Sequence, residues 1–280
     1  MNLRSLLVVL DDDDRCAMRT RLAAEHAAAH DCHLIGIAPT GVPELVSGLG
    51  AASGQADRAV LARDIALARA DERILHFRNH CHARGVPWVE TEICEGDRAA
   101  VVLNRAHAAD LTVISQVDPA SATRGDDERF VEQVLMNNAR PTLLVPHARH
   151  FERFGDNVLL AWDGSRGCTR AAADALPILR QAAQVRLCVW RRESDPPAAT
   201  IRANLASVDR WLSWQGVTAR IAVETSTGRV GDAILEMAAL CAADLLVMGT
   251  YGHARWAERL FGGATRTALA RAPLPLFMSH

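Results

Sequence analysis

The stretches LLVVLDDDDRC (residues 6–16) and VLLAWDGSRGC (residues 158–168) decide the fold. Aligned on their cysteines, Cys16 on Cys168, they place Asp11 against Asp163. Each opens with an apolar run too short for a helix. Each then ends in an acidic, turn-prone segment, as a strand buried in a parallel sheet does. An alanine-rich helical stretch follows in both places, AMRTRLAAEHAAAH (17–30) and TRAAADALPILRQAA (169–183). Strand-like CHLIGIAP (32–39) and QVRLCVW (184–190) come next.

The likeness continues outward. PWVETEICEGD (87–97) pairs with VTARIAVETSTG (217–228), and RPTLLVPH (140–147) with LPLFMSH (274–280). RAAVVLNRAHAADLTVIS (98–115) pairs with DAILEMAALCAADLLVMG (232–249), each with Ala-Asp before its strand. Strands alternating with helices, twice over, predict two tandem doubly wound α/β domains with mostly parallel sheets and right-handed crossovers. The boundary is expected near HARHFERFGDN (147–157), giving domains over residues 1–150 and 151–280. The first half carries a longer link, PTGVPELVSGLGAASGQADRAV (39–60), read as a surface loop before the helix LARDIALARADERILHFRNHCHARG (61–85).

Composition removes several function classes. Half the residues are hydrophobic (49%), enough for a substantial core. The formal charge of -2 argues against a dedicated nucleic-acid binder, which needs a basic face. No apolar run is long enough to span a membrane, and the N-terminal apolar stretch is too short for a signal peptide. The seven cysteines are odd in number and none are spaced C-x-x-C, which points to a reducing cytoplasm. The chain has no lysine: all 31 Lys+Arg positions are arginine. That excludes Schiff-base chemistry, a P-loop and protein-kinase chemistry, each of which needs a lysine amine.

In an open α/β sheet, ligands bind beyond the carboxyl ends of the strands. In the second half those ends carry Asp163, followed by Gly164 and Ser165, and Gly249. GTYGHARWAERLFGGATRTAL (249–269) then reads as a glycine turn opening a helix. Such a turn lets a phosphate approach the backbone and meet the first helical amides. Thr265, Arg266 and Arg255 stand ready to add a hydroxyl and charge. Tight turns and helix caps also use glycine; the spacing at a parallel strand end favours the ligand.

This stretch resembles the universal stress protein family, whose nucleotide-binding members carry G-x2-G-x9-G-[ST]. Gly249, Gly252 and Gly262 match in full, and Gly263 stands where Ser or Thr is expected. The Asp163-Gly164-Ser165 strand ending and the two-fold repeat match its tandem members. The resemblance implies a five-stranded, Rossmann-like sheet in each half. It implies fifth strands paired within one chain as an intramolecular pseudo-dimer, with homodimerisation left open. It implies binding of ATP or a related adenine nucleotide, with or without Mg2+; no candidate base is positioned among the site residues, so little or no hydrolysis is expected. By position, Asp163 would face the adenine, walled by Val189 and Met248. Gly249 and Gly252 would follow the ribose and phosphates, and Gly262, Gly263, Ala264 and Thr265 would hold the phosphates. The expected role is regulatory or protective in a stress response, rather than that of an efficient enzyme. The alternative is a nucleotide-independent protein-interaction module working through dimer surfaces; a true nucleotide hydrolase or transferase ranks third.

The first half has lost this loop. Aligning Pro141 with Pro275 puts Ser115, Asp118, Glu128 and Arg129 where Gly249, Gly252, Gly262 and Gly263 stand. Asp126, Asp127, Glu128 and Glu132, with Asp11 to Asp14, would repel phosphate, so no nucleotide is expected there. A solvated acidic turn outweighs a Mg2+ site for these acids. His26, His30, His33 and Cys32, and His76, His80, His82 and Cys81, read as solvated helix faces before metal sites. Cys16 and Cys168 at helix starts read as packing residues before reactive thiols, and Trp211 and Trp214 as a core or interface face.

Overall fold

The computed structural model describes residues 3–12, 15–42, 53–147, 151–250 and 263–280. The chain falls into two compact units, Leu3–Ser115 and Gln116–His280.

The first unit runs β1 (Ser5–Val9), α1 (Cys16–His30), β2 (His33–Pro39), α2 (Ser53–Ala83), β3 (Trp88–Cys94), α3 (Arg98–Ala106) and β4 (Leu111–Ser115). Its strands are parallel in the order β3-β2-β1-β4. Leu6, Leu7, Val8, Val9 and Leu10 are all fully buried, as a central strand covered on both faces requires. The helix expected from residue 61 begins earlier, at Ser53.

The second unit contains α4 (Arg124–Asn137), β5 (Thr142–Val145), β6 (Asn157–Ala161), α5 (Arg166–Asp174), α6 (Leu176–Leu179) and β7 (Gln184–Arg191). It continues with α7 (Ala198–Asn204), α8 (Ala206–Trp214), β8 (Ala219–Thr225), α9 (Val230–Leu240), β9 (Leu245–Gly249), α10 (Gly263–Arg271) and β10 (Leu276–Ser279). Strands β8-β7-β6-β9-β10 run parallel. The helical stretch 169–183 is divided: α5 ends at Asp174 and α6 restarts with Pro177 in its first turn, where proline lacks no needed donor.

The last strands of the two repeats, β5 and β10, pair antiparallel, with Phe277 opposite Leu143. Gln116 adds a second tie: its side-chain amide donates to Leu269 O at 2.9 Å and closes the last turn of α10. Both contacts join first-repeat residues to second-repeat elements, which is why this unit begins at Gln116.

The repeated Ala-Asp has a repeated use. Asp244 accepts the amides of Gly155 (2.9 Å), Asp156 (3.0 Å) and Asn157 (3.0 Å) at the entry to β6. Asp110 accepts the amides of Arg4 (2.9 Å) and Ser5 (3.0 Å) and the Ser5 hydroxyl (3.1 Å) at the entry to β1. In each unit one carboxylate satisfies amides that would otherwise lack partners where the strand begins.

Candidate functional site

In the second unit the strand order reverses at β6, between β7 and β9. That is the crevice where doubly wound sheets take ligands. Asp163 lies just past β6, exposed, with Oδ1 accepting the Ser165 amide at 2.8 Å. Gly164 makes this turn in the left-handed region, at φ 73°, which glycine enters without strain. Ser165 then caps α5, its hydroxyl accepting the Cys168 amide at 3.2 Å. The sequence D-G-S is therefore a complete turn-and-cap unit, holding Asp163 at the mouth of the crevice.

Gly249 ends β9 against the start of α5. A Cβ at this position would lie 2.5 Å from Cys168 N and 2.6 Å from Gly167 C. Both neighbours are backbone, so nothing can yield. The first glycine of the motif is thus required by helix–strand packing in its own right.

The first turn of α10 sits at the same strand end. The Thr265 hydroxyl donates to Thr250 O at 3.1 Å, and Thr265 is buried. Thr250 in turn donates its amide to Ser279 O at 3.0 Å. Gly263, the first described residue of α10, is exposed, and a Cβ there would meet nothing within 4 Å. Ala264 is half-buried beside it. Of the two expected apolar walls, Met248 is buried and Val189 half-buried. Gly252, Gly262 and Arg255 lie outside the described residues; Arg266 is exposed.

The corresponding end of the first unit is filled by side chains. Arg19, fully buried, donates from Nε to Val9 O at 2.8 Å, from Nη2 to Asp11 Oδ1 at 2.6 Å, and from Nη1 to the Ser115 hydroxyl. Arg98 of α3 takes the other oxygen of Asp11. Arg73 of α2 grips Asp12, at 2.6 Å. So Asp11 and Ser115, the counterparts of Asp163 and Gly249, are bound to one guanidinium. Sequence reading did not single out Arg19. The repeat contains the signal: its counterpart is the buried Ala171, and an arginine lies among buried Met18, Leu22 and Ala23.

Three acids of the lost loop, Asp126, Asp127 and Glu128, are also partnered, Asp126 by Arg129. Asp127 accepts the hydroxyls of Ser121 (3.0 Å) and Thr123 (2.9 Å), and Arg124 donates to Glu128 at 2.8 Å. Asp13 and Asp14 lie outside the described residues. Among the described residues no group of three His, Cys, Asp or Glu could hold a metal, and no helix is long and apolar enough to cross a membrane.

Within the histidine and cysteine clusters His33, His76 and His82 are exposed, as expected of solvated faces, and the other members are not. Cys32 and Cys81 are buried, and His26 packs on His30 with ring centroids 4.3 Å apart. Burial, then the charge of His30, push His26 down to about 3. Cys168 is buried against Ala161 O, and burial pushes its thiol up to about 12. On α8, Trp214 is exposed and Trp211 half-buried.

The sequence model of the universal stress protein family matches residues 155–280. A curated relative, a universal stress protein of Synechocystis sp., is 27% identical over 163 residues, covering 55% of this chain and 54% of its own. The chain therefore spans about half the length of that relative. A solved universal stress protein from Archaeoglobus fulgidus DSM 4304 superposes with a TM-score of 0.74 at 16% identity, covering 98% of this chain and 97% of its own. A putative universal stress protein from Pseudomonas aeruginosa UCBPP-PA14 gives 0.56 at 18%, covering 98% and 92%. At these identities the two structures establish the shared fold.

Proposed function

We propose that the second half of the chain, which the universal stress protein family model matches over residues 155–280, holds ATP or a related adenine nucleotide at the carboxyl ends of β6, β7 and β9. One observation supports this reading above the others. The Thr265–Thr250 bond sets the open first turn of α10 at the end of β9, the strand next to the one that delivers Asp163. A helix start offers unpaired amides and the positive end of its dipole, which suit phosphate oxygens.

In this arrangement the amides of Gly263 and Ala264 take the phosphates, and Gly252 and Gly262 complete the loop. Asp163 faces the adenine between Val189 and Met248, and Gly249 lies along the ribose. The Thr265 hydroxyl is committed to Thr250 O, so its share falls to its amide. The missing hydroxyl at Gly263 weakens the grip and leaves the amide. Mg2+, where it accompanies the nucleotide, would offset phosphate charge. These groups hold rather than activate, so hydrolysis is slow or absent and the protein acts by its nucleotide-bound state in a stress response. The first unit, with Arg19 across its crevice, serves as a structural or partner-binding half.

Calorimetry with ATP tests the reading. Wild type gives binding heat. Gly263→Asp, which adds a negative charge at an open position without a clash, weakens binding at least tenfold. No heat from wild type, or equal heat from both, overturns it. A nucleotide-independent interaction module is the second reading. The β5–β10 pairing already uses both fifth-strand edges, so a protein partner would need another surface.

A further inference from the structure

At the opposite, amino-terminal end of the second unit's sheet, two arginines stand side by side. Arg186 of β7 is in register with Arg220 of β8, so both side chains leave the same face of neighbouring strands. Like charges so placed repel each other and destabilise a sheet. Among the described residues no carboxylate pairs with either. Arg186 rests on the Met237 sulfur, Nη1 to Sδ 3.7 Å, and Arg220 is exposed. A carboxylate at this end, Asp244, is taken up by three backbone amides.

The pair lines a cavity of about 340 Å3, with Gln184, Thr218, Val185 and the free thiol of Cys241 also on its wall. That volume is in the range of small-ligand sites and exceeds what a bare oxyanion fills. Two guanidiniums offer two planar donor forks and two positive charges, which match the oxygens and charge of a phosphate dianion. Apolar and neutral polar walls remain for an organic body.

We propose that this cavity is a binding site for a small organic phosphate monoester, gripped by Arg186 and Arg220 and lying against Cys241. It is separate from the nucleotide crevice. Arg186 stands five residues before the carboxyl end of β7, roughly 15 Å along the strand at the usual rise. The proposal therefore does not depend on nucleotide binding.

Phenyl phosphate is a suitable probe, since it lacks an adenine and carries a compact apolar body. Titration calorimetry is expected to show binding to wild type, with at least tenfold loss in Arg220→Gln and in Arg186→Gln. Arg220 is exposed, so its variant keeps the fold. Gly263→Asp, altered only at the nucleotide crevice, is expected to bind phenyl phosphate as wild type does. A local readout accompanies these: saturating phenyl phosphate slows iodoacetamide alkylation of Cys241 at least threefold, read peptide by peptide, and leaves Cys16 unchanged. Binding that survives Arg220→Gln overturns the site, as does unprotected Cys241. Equal affinity for benzoate overturns the dianion, and equal affinity for inorganic phosphate overturns the organic body.

Discussion

Arg19 donates to Asp11 at 2.6 Å from a side chain with no exposure at all, while Asp11 keeps 13% of its own. Removing one partner of such a pair costs more than the pair contributes, because the remaining charge is left in a poor solvent. Arg19→Ala strands the Val9 carbonyl and the Ser115 hydroxyl as well, though Arg98 still holds Asp11. A loss of about 3 kcal/mol in urea unfolding of the first unit is expected. Arg19→Met, which refills the volume and removes the charge, recovers part of it. Equal stability of Arg19→Ala and wild type would mean that the buried guanidinium contributes nothing.

Gly249, a glycine of the motif, and Gly263, at its Ser/Thr position, should answer alanine in opposite ways. At Gly249 the new methyl meets the backbone of Gly167 and Cys168 at 2.5–2.6 Å, and Gly249→Ala is expected to lose about 1–3 kcal/mol through forced separation of β9 and α5. At Gly263 the methyl meets nothing, and Gly263→Ala is expected to be neutral or stabilising by about 0.5–1 kcal/mol through helix propensity. Thermal unfolding of the two single variants separates them. A similar shift in both would remove the claim that packing fixes Gly249.

Acid should weaken the first unit through its histidines. The ordinary value of 6.5 for His26 falls to about 3 in the fold, by burial and then by the charge of His30. As pH drops below 6.5 the unfolded chain takes up the proton first, so stability is complete above 6.5 and declines toward 3. One proton gives a slope of at most about 1.4 kcal/mol per pH unit. His80 adds the same sign: burial and the charges of Arg84 and Arg21 lower it, against Glu25, and its Nε2 is buried without a partner. Urea midpoints at pH 7.5, 6 and 5 should fall for wild type and fall less for His26→Leu. Parallel curves would place the acid sensitivity elsewhere.

What could be read from the sequence was what repeats. Continuous apolar runs such as Leu6–Leu10 announce central strands, and the doubled order announces a doubly wound sheet twice. The antiparallel β5–β10 pairing followed from the family resemblance and not from any local pattern. Arg19 stayed hidden because periodicity treats an arginine as a surface residue. Only the crevice between β1 and β4 supplies the acceptors that make its burial tolerable. The expected division near residue 150 rests on sequence equivalence, whereas compactness follows contacts, and Gln116 and β5 make theirs with α10 and β10. The candidate site was legible as a set of residue types. Why Gly249 is glycine was not, because its reason is a helix backbone more than eighty positions earlier in the chain.

The two strand-entry aspartates offer the last test. Asp244 accepts three amides and Asp110 two amides and a hydroxyl, so each anchors the first strand of its repeat from the segment before the fourth. Charge-assisted bonds of this kind contribute more than neutral ones, and alanine leaves every donor unpaired. Asp244→Ala is expected to lose about 2–3 kcal/mol. Asp244→Asn, which keeps one acceptor oxygen and turns a donor toward the remaining amides, should lose somewhat less. Asp110→Ala should behave alike, and because the two share no partner the double variant should lose the sum. Hydrogen exchange gives a local reading: the amides of Gly155, Asp156 and Asn157 should lose protection in Asp244→Ala and keep it in Asp110→Ala. Unchanged exchange at those three amides would show that the carboxylate does not hold the strand.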